Sequence, residues 1–175
     1  MKSRVLRHLG HMSAVLLAAA VALAGTASAQ SAQAAAPSLE GTWRVQVTQY
    51  NCANPSMARP PFWSLLSFHR GGTETETTSN PALLPGQRTS GHGFWEAVGV
   101  NTYFSATEAF ILFDSPSNPP GLKQGVQKIL QSITVTDENH FKALATVKFF
   151  NADGTTTTGC ATATGVRLTG SADQP

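Results

Sequence analysis

Hydrophobic and polar residues alternate along most of the chain with the period of two that is typical of β-strands. In the segment Gly41–Cys52, the apolar residues Trp43, Val45 and Val47 alternate with polar side chains. The segment 160–169 at the far end of the chain alternates in the same way. This pattern predicts a chain built from short strands.

Further strands are indicated by alternating segments that lie between turn signals. We expect them at residues 62–70, 73–78, 92–98, 102–113, 133–136 and 141–150. Gly71-Gly72 and the segment 151–154 are typical of hairpin turns. The segment from Leu122 to Leu130 fits a helix or a strand, and its periodicity does not decide between them.

Two proline-containing segments are expected to be loops rather than strands. The first covers residues 53–61, and the second is a long connection over residues 79–91. Leu83 and Leu84 lie at the centre of the second loop, which favours a loop that packs against the domain.

Short turns make consecutive strands antiparallel neighbours, and about eight strands are counted. If the first strand pairs with the last and Cys52 lies opposite Cys160, then Val45 faces Arg167 and Trp43 faces Thr169. The sheet then closes without a free edge. The sequence therefore predicts an all-β domain, an antiparallel up-and-down barrel over residues 39–170. An immunoglobulin-like sandwich fits less well, because the two cysteines lie near the ends of the domain.

The N-terminal segment has the features of a secretory signal peptide over residues 1–29. Three basic residues precede an apolar segment from Met12 to Gly25, and Ala27-Ser28-Ala29 forms a cleavage site. Residues 30–38 are expected to be a flexible lead-in and residues 171–175 a tail. The protein is therefore expected to be exported, to the periplasm or beyond the cell. In an oxidising compartment, Cys52 and Cys160 are expected to form a disulfide.

Cleavage changes the charge of the chain. It removes three of the twelve basic residues and none of the ten acidic ones, so the net charge falls from +2 to about −1. The remaining charges are scattered, which argues against nucleic acid as a partner. No membrane span is expected in the mature chain, and the sequence leaves its oligomeric state open.

Gly41-x-Trp43 in the first strand, together with Arg167 in the last, resembles the signature of lipocalins and their calycin relatives. The resemblance is to a lipocalin-like barrel of a bacterial secreted group, and it covers the mature chain loosely. It implies that Trp43 closes the floor of the barrel, that Arg167 lies across it, and that the cup holds a small apolar or amphipathic molecule.

Candidate binding residues cluster around the segment from Gly91. His92, Phe94 and Glu96 share one side of their strand, while Tyr103 and Glu108 lie in the following strand on alternate sides. With Leu83 and Leu84, these residues are expected to line the ligand cavity or to form a polar network at the barrel rim.

Other titratable residues are expected to be solvated or structural. Glu74 and Glu76 share one face of their strand, which is expected to face solvent. The three histidines outside the signal, at positions 69, 92 and 140, lack the spacing of a metal site, and no cofactor is expected.

Three functions are compatible with these features. The first is an exported barrel that binds a small apolar or amphipathic ligand. The second is a small barrel enzyme of the cyclase or isomerase type, using His92, Tyr103 and a glutamate. The third is a structural envelope protein with a fully packed interior. The sequence favours the first and does not identify the ligand or decide whether there is catalysis.

Overall fold

A computed structural model describes residues 38–113, 125–151 and 153–171 of the chain. The predicted signal peptide and nearly all of the predicted lead-in and tail lie outside these residues. Within them, every regular element is a β-strand, and no helix is present that could cross a membrane.

Nine strands follow one another along the chain. They are β1 (Gly41–Asn51), β2 (Asn54–Ala58), β3 (Phe62–His69), β4 (Thr73–Thr78), β5 (Gly91–Gly99), β6 (Thr102–Ile111), β7 (Gly125–Asp137), β8 (His140–Asn151) and β9 (Thr156–Arg167).

Eight of these strands close into an antiparallel barrel. β1 pairs with β3, each following strand pairs with the next, and β9 pairs back to β1. The predicted closure of the first strand on the last is therefore confirmed. The segment left undecided between helix and strand is a strand from Gly125 onward, since β7 is continuous from there to Asp137.

One predicted loop contains a short strand. The prolines indicated a loop at residues 53–61, but β2 pairs with the end of β1 beyond the point where β3 stops. β2 is fully exposed and lies outside the closed ring of eight strands.

The seam between β1 and β9 has a register two residues away from the prediction. Trp43 lies directly opposite Arg167, and Tyr50 lies opposite Cys160. The cause is the end of β1 at Asn51, because Cys52 lies in the turn and reaches its partner from outside the ladder. The predicted Cys52–Cys160 disulfide is formed, with 5.1 Å between the Cα atoms. A shift of two residues keeps every side chain on its expected face.

Aromatic side chains close one end of the barrel. Trp43 is fully buried, its indole nitrogen donates to the Leu39 carbonyl at 2.9 Å, and its ring meets Phe141 edge to face at 5.0 Å. The guanidinium of Arg167 lies 4.1 Å from the centre of the Trp43 ring. A side chain at position 165 would collide with the Phe141 ring, so the glycine there permits this packing. The predicted contact between Trp43 and Arg167 is present.

Candidate functional site

A band of polar side chains crosses the barrel interior above this apolar end. β4 supplies Glu74 and Glu76, which are 1% and 6% exposed. The prediction that these glutamates face solvent is wrong, since the threonines of β4 take the outer face instead. The alternation of Thr and Glu fixes two faces but does not say which one is inside.

Arg88 from the loop between β4 and β5 reaches into the interior and neutralises Glu76. Its guanidinium lies 2.5 Å from the Glu76 carboxylate, and the two side chains are 4% and 7% exposed. Arg88 also donates to the side-chain oxygen of Gln127 and, at 3.0 Å, to the Thr89 carbonyl. Ser64 donates to the other oxygen of Glu76 at 3.3 Å. This desolvated ion pair and its hydrogen bonds hold the loop against the inside of the barrel.

Glu74 has no comparable counter-ion. Its Oε1 accepts from the Thr107 hydroxyl, while its Oε2 has no hydrogen-bond partner among the described residues. Burial raises the pKa of Glu74 to about 7. Hydrogen bonds with Thr107 and Ser105 lower this pKa, and the nearby charge of Glu76 raises it. Glu74 is therefore a proton-binding group inside the barrel at neutral pH.

An internal cavity of about 50 Å³ lies beside this band, toward the other end of the barrel. One part of its wall is polar and includes Ser64, Glu76, Gln127 and Gln131. The remaining wall is mostly apolar and includes valines of β1 and alanines of β8 and β9, namely Val45, Val47, Ala145, Ala161 and Ala163. The cavity is present because the alanine side chains are too short to fill this part of the interior. It accommodates a few water molecules or a small chemical group.

The loop over residues 79–90 covers the cavity. Leu83 lines the cavity, whereas Leu84 is 43% exposed. The loop is ordered by its own hydrogen bonds, including Leu84 N–H to the Gln87 side chain at 2.8 Å and Gln87 to the Phe113 carbonyl at 2.9 Å. The prediction of a loop that packs against the domain is confirmed, and its contact with the interior comes through Leu83 and Arg88.

A larger groove of about 450 Å³ adjoins the cavity at this end of the barrel. The two spaces share four lining residues: Gln49, Asn80, Leu83 and Val147. The groove extends to Met57 and Arg59 and to the region of Cys160. Together the cavity and the groove have a volume in the size range of small-molecule sites.

Most of the site residues predicted from the sequence lie on the outer surface. His92, Phe94, Glu96 and Glu108 are all exposed on the outer face of the sheet and do not line the cavity, which was one of the two arrangements expected. His92 and Glu108 are direct cross-strand partners, and Glu108 forms an ion pair with Lys128 at 3.0 Å. The glycines at positions 91 and 93 occupy the inward positions of β5, which places His92 and Phe94 outside.

Tyr103 is the member of the predicted set on β6 that faces inward. It is 9% exposed and meets Trp95 edge to face at 5.7 Å, within the apolar end of the barrel. The structure therefore separates Tyr103 from His92 by the thickness of the sheet.

The interior residues Glu74, Glu76, Arg88, Gln127 and Gln131 were missed by sequence reasoning. One signal that could have found Glu74 and Glu76 is the alternation of threonine in β4, because in β9 threonine alternates with the small residues Ala161, Ala163 and Gly165, which favour the inside. Arg88 carries no such signal, because its position depends on the path of a loop.

No group of three or more metal-ligating side chains occurs in the described parts of the chain. Comparison with known protein families and with curated proteins finds no match to this sequence.

Proposed function

We propose that this protein is an exported, lipocalin-like barrel that binds a small apolar or amphipathic molecule at the end covered by residues 79–90. The observation that carries the proposal is the divided wall of the cavity, which is apolar on β1, β8 and β9 and polar near Glu76. A ligand pocket of this kind buries an apolar body and orients it through a few polar groups.

The same geometry indicates how the ligand would lie. Its apolar part would contact Val45, Val47 and the alanines, and its polar group would meet Gln127 or Gln131. Because the cavity alone is small, the rest of the molecule would occupy the adjoining groove after Leu83 moves. The Glu76–Arg88 ion pair would remain in place and hold the base of the loop.

Native mass spectrometry of the protein purified from its own source tests the proposal. We expect a bound small molecule, and we expect n-alkanols to bind the ligand-free protein in calorimetry. Ala163→Leu fills the cavity and should abolish alkanol binding, while Thr162→Leu on the outer face of the same strand should leave it unchanged. Ligand-free mass together with no alkanol binding would refute the proposal.

The enzyme hypothesis receives less support from the geometry. It required His92, Tyr103 and a glutamate to act together, but His92 is on the outer surface and Tyr103 is inside. The hypothesis of a fully packed structural barrel predicts no space in the interior, whereas a cavity and an adjoining groove are present.

A further inference from the structure

The ion pair beside the cavity is already satisfied by protein groups. The two oxygens of Glu76 accept from Ser64 and from Arg88, and every nitrogen of the Arg88 guanidinium donates to a protein oxygen. The two opposite charges neutralise each other, and both side chains are almost fully buried. A ligand in the cavity therefore meets a carboxylate that is already paired, and its polar group has to bond elsewhere.

Gln127 on β7 presents a hydrogen-bond donor to the cavity, which it lines. Its side-chain oxygen accepts from Nε of Arg88. Because a guanidinium can only donate, the oxygen of this amide must face Arg88, and the orientation of the amide is fixed. The Nε2 of Gln127 bonds to no described residue, so its two hydrogens are left for a ligand.

Gln131, two inward positions further along β7, presents an acceptor to the same cavity. Its Nε2 donates to the Ser105 hydroxyl at 3.3 Å, and Ser105 is also a hydrogen-bond partner of Glu74. The ionised Glu74 carboxylate can only accept, so Ser105 donates its hydrogen to Glu74 and accepts from Gln131. The Oε1 of Gln131 bonds to no described residue and is the atom left for a ligand.

The two amides are buried groups that a ligand has to satisfy, since Gln127 is 4% and Gln131 is 7% exposed. A ligand that displaces water from the cavity leaves a buried donor or acceptor unpaired unless its own groups match them. A carboxylate only accepts and would meet the Gln131 oxygen. An ammonium only donates and would meet the Gln127 hydrogens beside the Arg88 cation. Either charge would also lose its hydration without gaining a counter-ion from the paired Glu76 and Arg88.

We propose that the cavity selects an apolar ligand whose head is uncharged and both donates and accepts a hydrogen bond, as a carboxamide or a hydroxyl does. The inference rests on the proposed function, because it names the head of the molecule that would bind there. The head would donate to Gln131 and accept from Gln127, and its chain would extend past the alanines toward the loop end, the end covered by residues 79–90. The cavity of about 50 Å³ has room for such a head.

Three ligands that share a heptyl chain and a planar head of similar size test the proposal: octanamide, heptyl methyl ketone and octanoate. Their heads differ in a single group, which is an amino group, a methyl group or a charged oxygen. Calorimetry at about pH 8 keeps both octanoate and Glu74 ionised. We expect octanamide to bind at least about tenfold more tightly than the other two, because the ketone leaves the Gln131 oxygen unpaired and octanoate sets a second acceptor against it.

Gln131→Met gives a readout specific to this residue. Methionine has a similar length but offers no comparable acceptor, so octanamide should lose its advantage over the ketone, while the affinity for the ketone should change little. Retained ketone binding shows that the variant is folded. Gln46→Met, at an exposed position of β1, is the matched control and should keep the full preference. A preference for octanamide that Gln131→Met leaves intact would overturn the proposal.

The outcomes separate this proposal from the proposed function. If none of the three ligands binds and n-alkanols do not bind either, the binding function fails and this proposal fails with it. If the three bind with equal affinity, or if octanoate binds best, the barrel binds apolar chains without selecting this head, so this proposal is overturned while the proposed function stands. Octylamine that binds more tightly than octanamide would also overturn it, because the charge of Glu74 would then select the head.

Discussion

The two ends of the barrel are stabilised by different kinds of interaction. The closed end is a cluster of aromatic rings around Trp43, covered by Arg167. The loop end contains the buried carboxylate of Glu76, an arginine that enters from a loop, and space beside them. Apolar packing stabilises one end, whereas a disulfide and a buried ion pair beside an unfilled space characterise the other. This difference is the basis for the binding site that we propose at the loop end.

The disulfide should make the largest single contribution to stability, and it belongs to the loop end. It links residues 108 apart in the chain, and loop-closure entropy for that length is about 4–5 kcal/mol. Chemical denaturation with and without reductant should show a loss approaching this value. Equal stability of the oxidised and reduced forms would contradict the prediction.

Removal of Trp43 should destabilise the closed end by about 3–5 kcal/mol, because a fully buried aromatic side chain is truncated. Arg167→Ala should cost less, and the double variant should cost less than the sum, since the two side chains share a contact. Denaturant unfolding measures all three. Arg70→Ala is the control, because its side chain is 91% exposed at the same end. Strictly additive costs would show that the Trp43–Arg167 contact contributes nothing.

Breaking the buried ion pair at the loop end should cost about 3–5 kcal/mol when one partner is removed. Arg88→Met leaves Glu76 charged and buried without a cation, so it should be markedly destabilising. The double variant Arg88→Met, Glu76→Gln should recover much of the loss. If Arg88→Met unfolds at the same denaturant concentration as the natural chain, Arg88 does not lie inside the barrel.

The pH dependence of stability reports on the polar band that lies between the two ends. Folding raises the pKa of Glu74 to about 7 from an ordinary value of 4.5 because of burial, so the folded chain binds more protons than the unfolded chain between these pH values. The contribution of Glu74 to the free energy of unfolding should therefore fall as pH rises through this interval. The loss should be on the order of 3 kcal/mol, with no further change from this group above pH 7.

Glu74→Gln should flatten this part of the stability curve, because an amide does not titrate. Glu96→Gln, on the exposed face of β5, should retain the slope of the natural chain. Urea denaturation at a series of pH values between 4 and 8 gives the comparison. A slope that persists in Glu74→Gln would assign the effect to another group.

The sequence predicted the closure of the barrel and the order of its eight strands, although it missed the short strand β2. Alternating residues and glycine turns indicated the strand order. The seam was predicted from the pairing of Cys52 with Cys160, and the contact between Trp43 and Arg167 was implied by the resemblance. The register was wrong by two residues because a cysteine in a turn can reach its partner without lying in the ladder. The error did not change the face of any side chain.

The loop end could not be derived in the same way. The strand of Glu74 and Glu76 has two regular faces, and charged residues are expected outside unless their partners are known. Those partners are Thr107 and Arg88, which lie in another strand and in a loop. The same ambiguity exchanged the two faces of β5 in the prediction. Its aromatic and titratable residues suggested an interior site, but the inward positions are occupied by glycines and Trp95.

The account depends most on the position of Glu74 inside the barrel. A carbon-13 NMR titration of glutamate side-chain carboxyl groups, with Glu74 assigned by Glu74→Gln, measures this directly. We expect the Glu74 resonance to titrate with a pKa near 7, as burial of the carboxyl requires. A Glu74 pKa close to its ordinary value of 4.5 would place the side chain in solvent and contradict the polar interior described above.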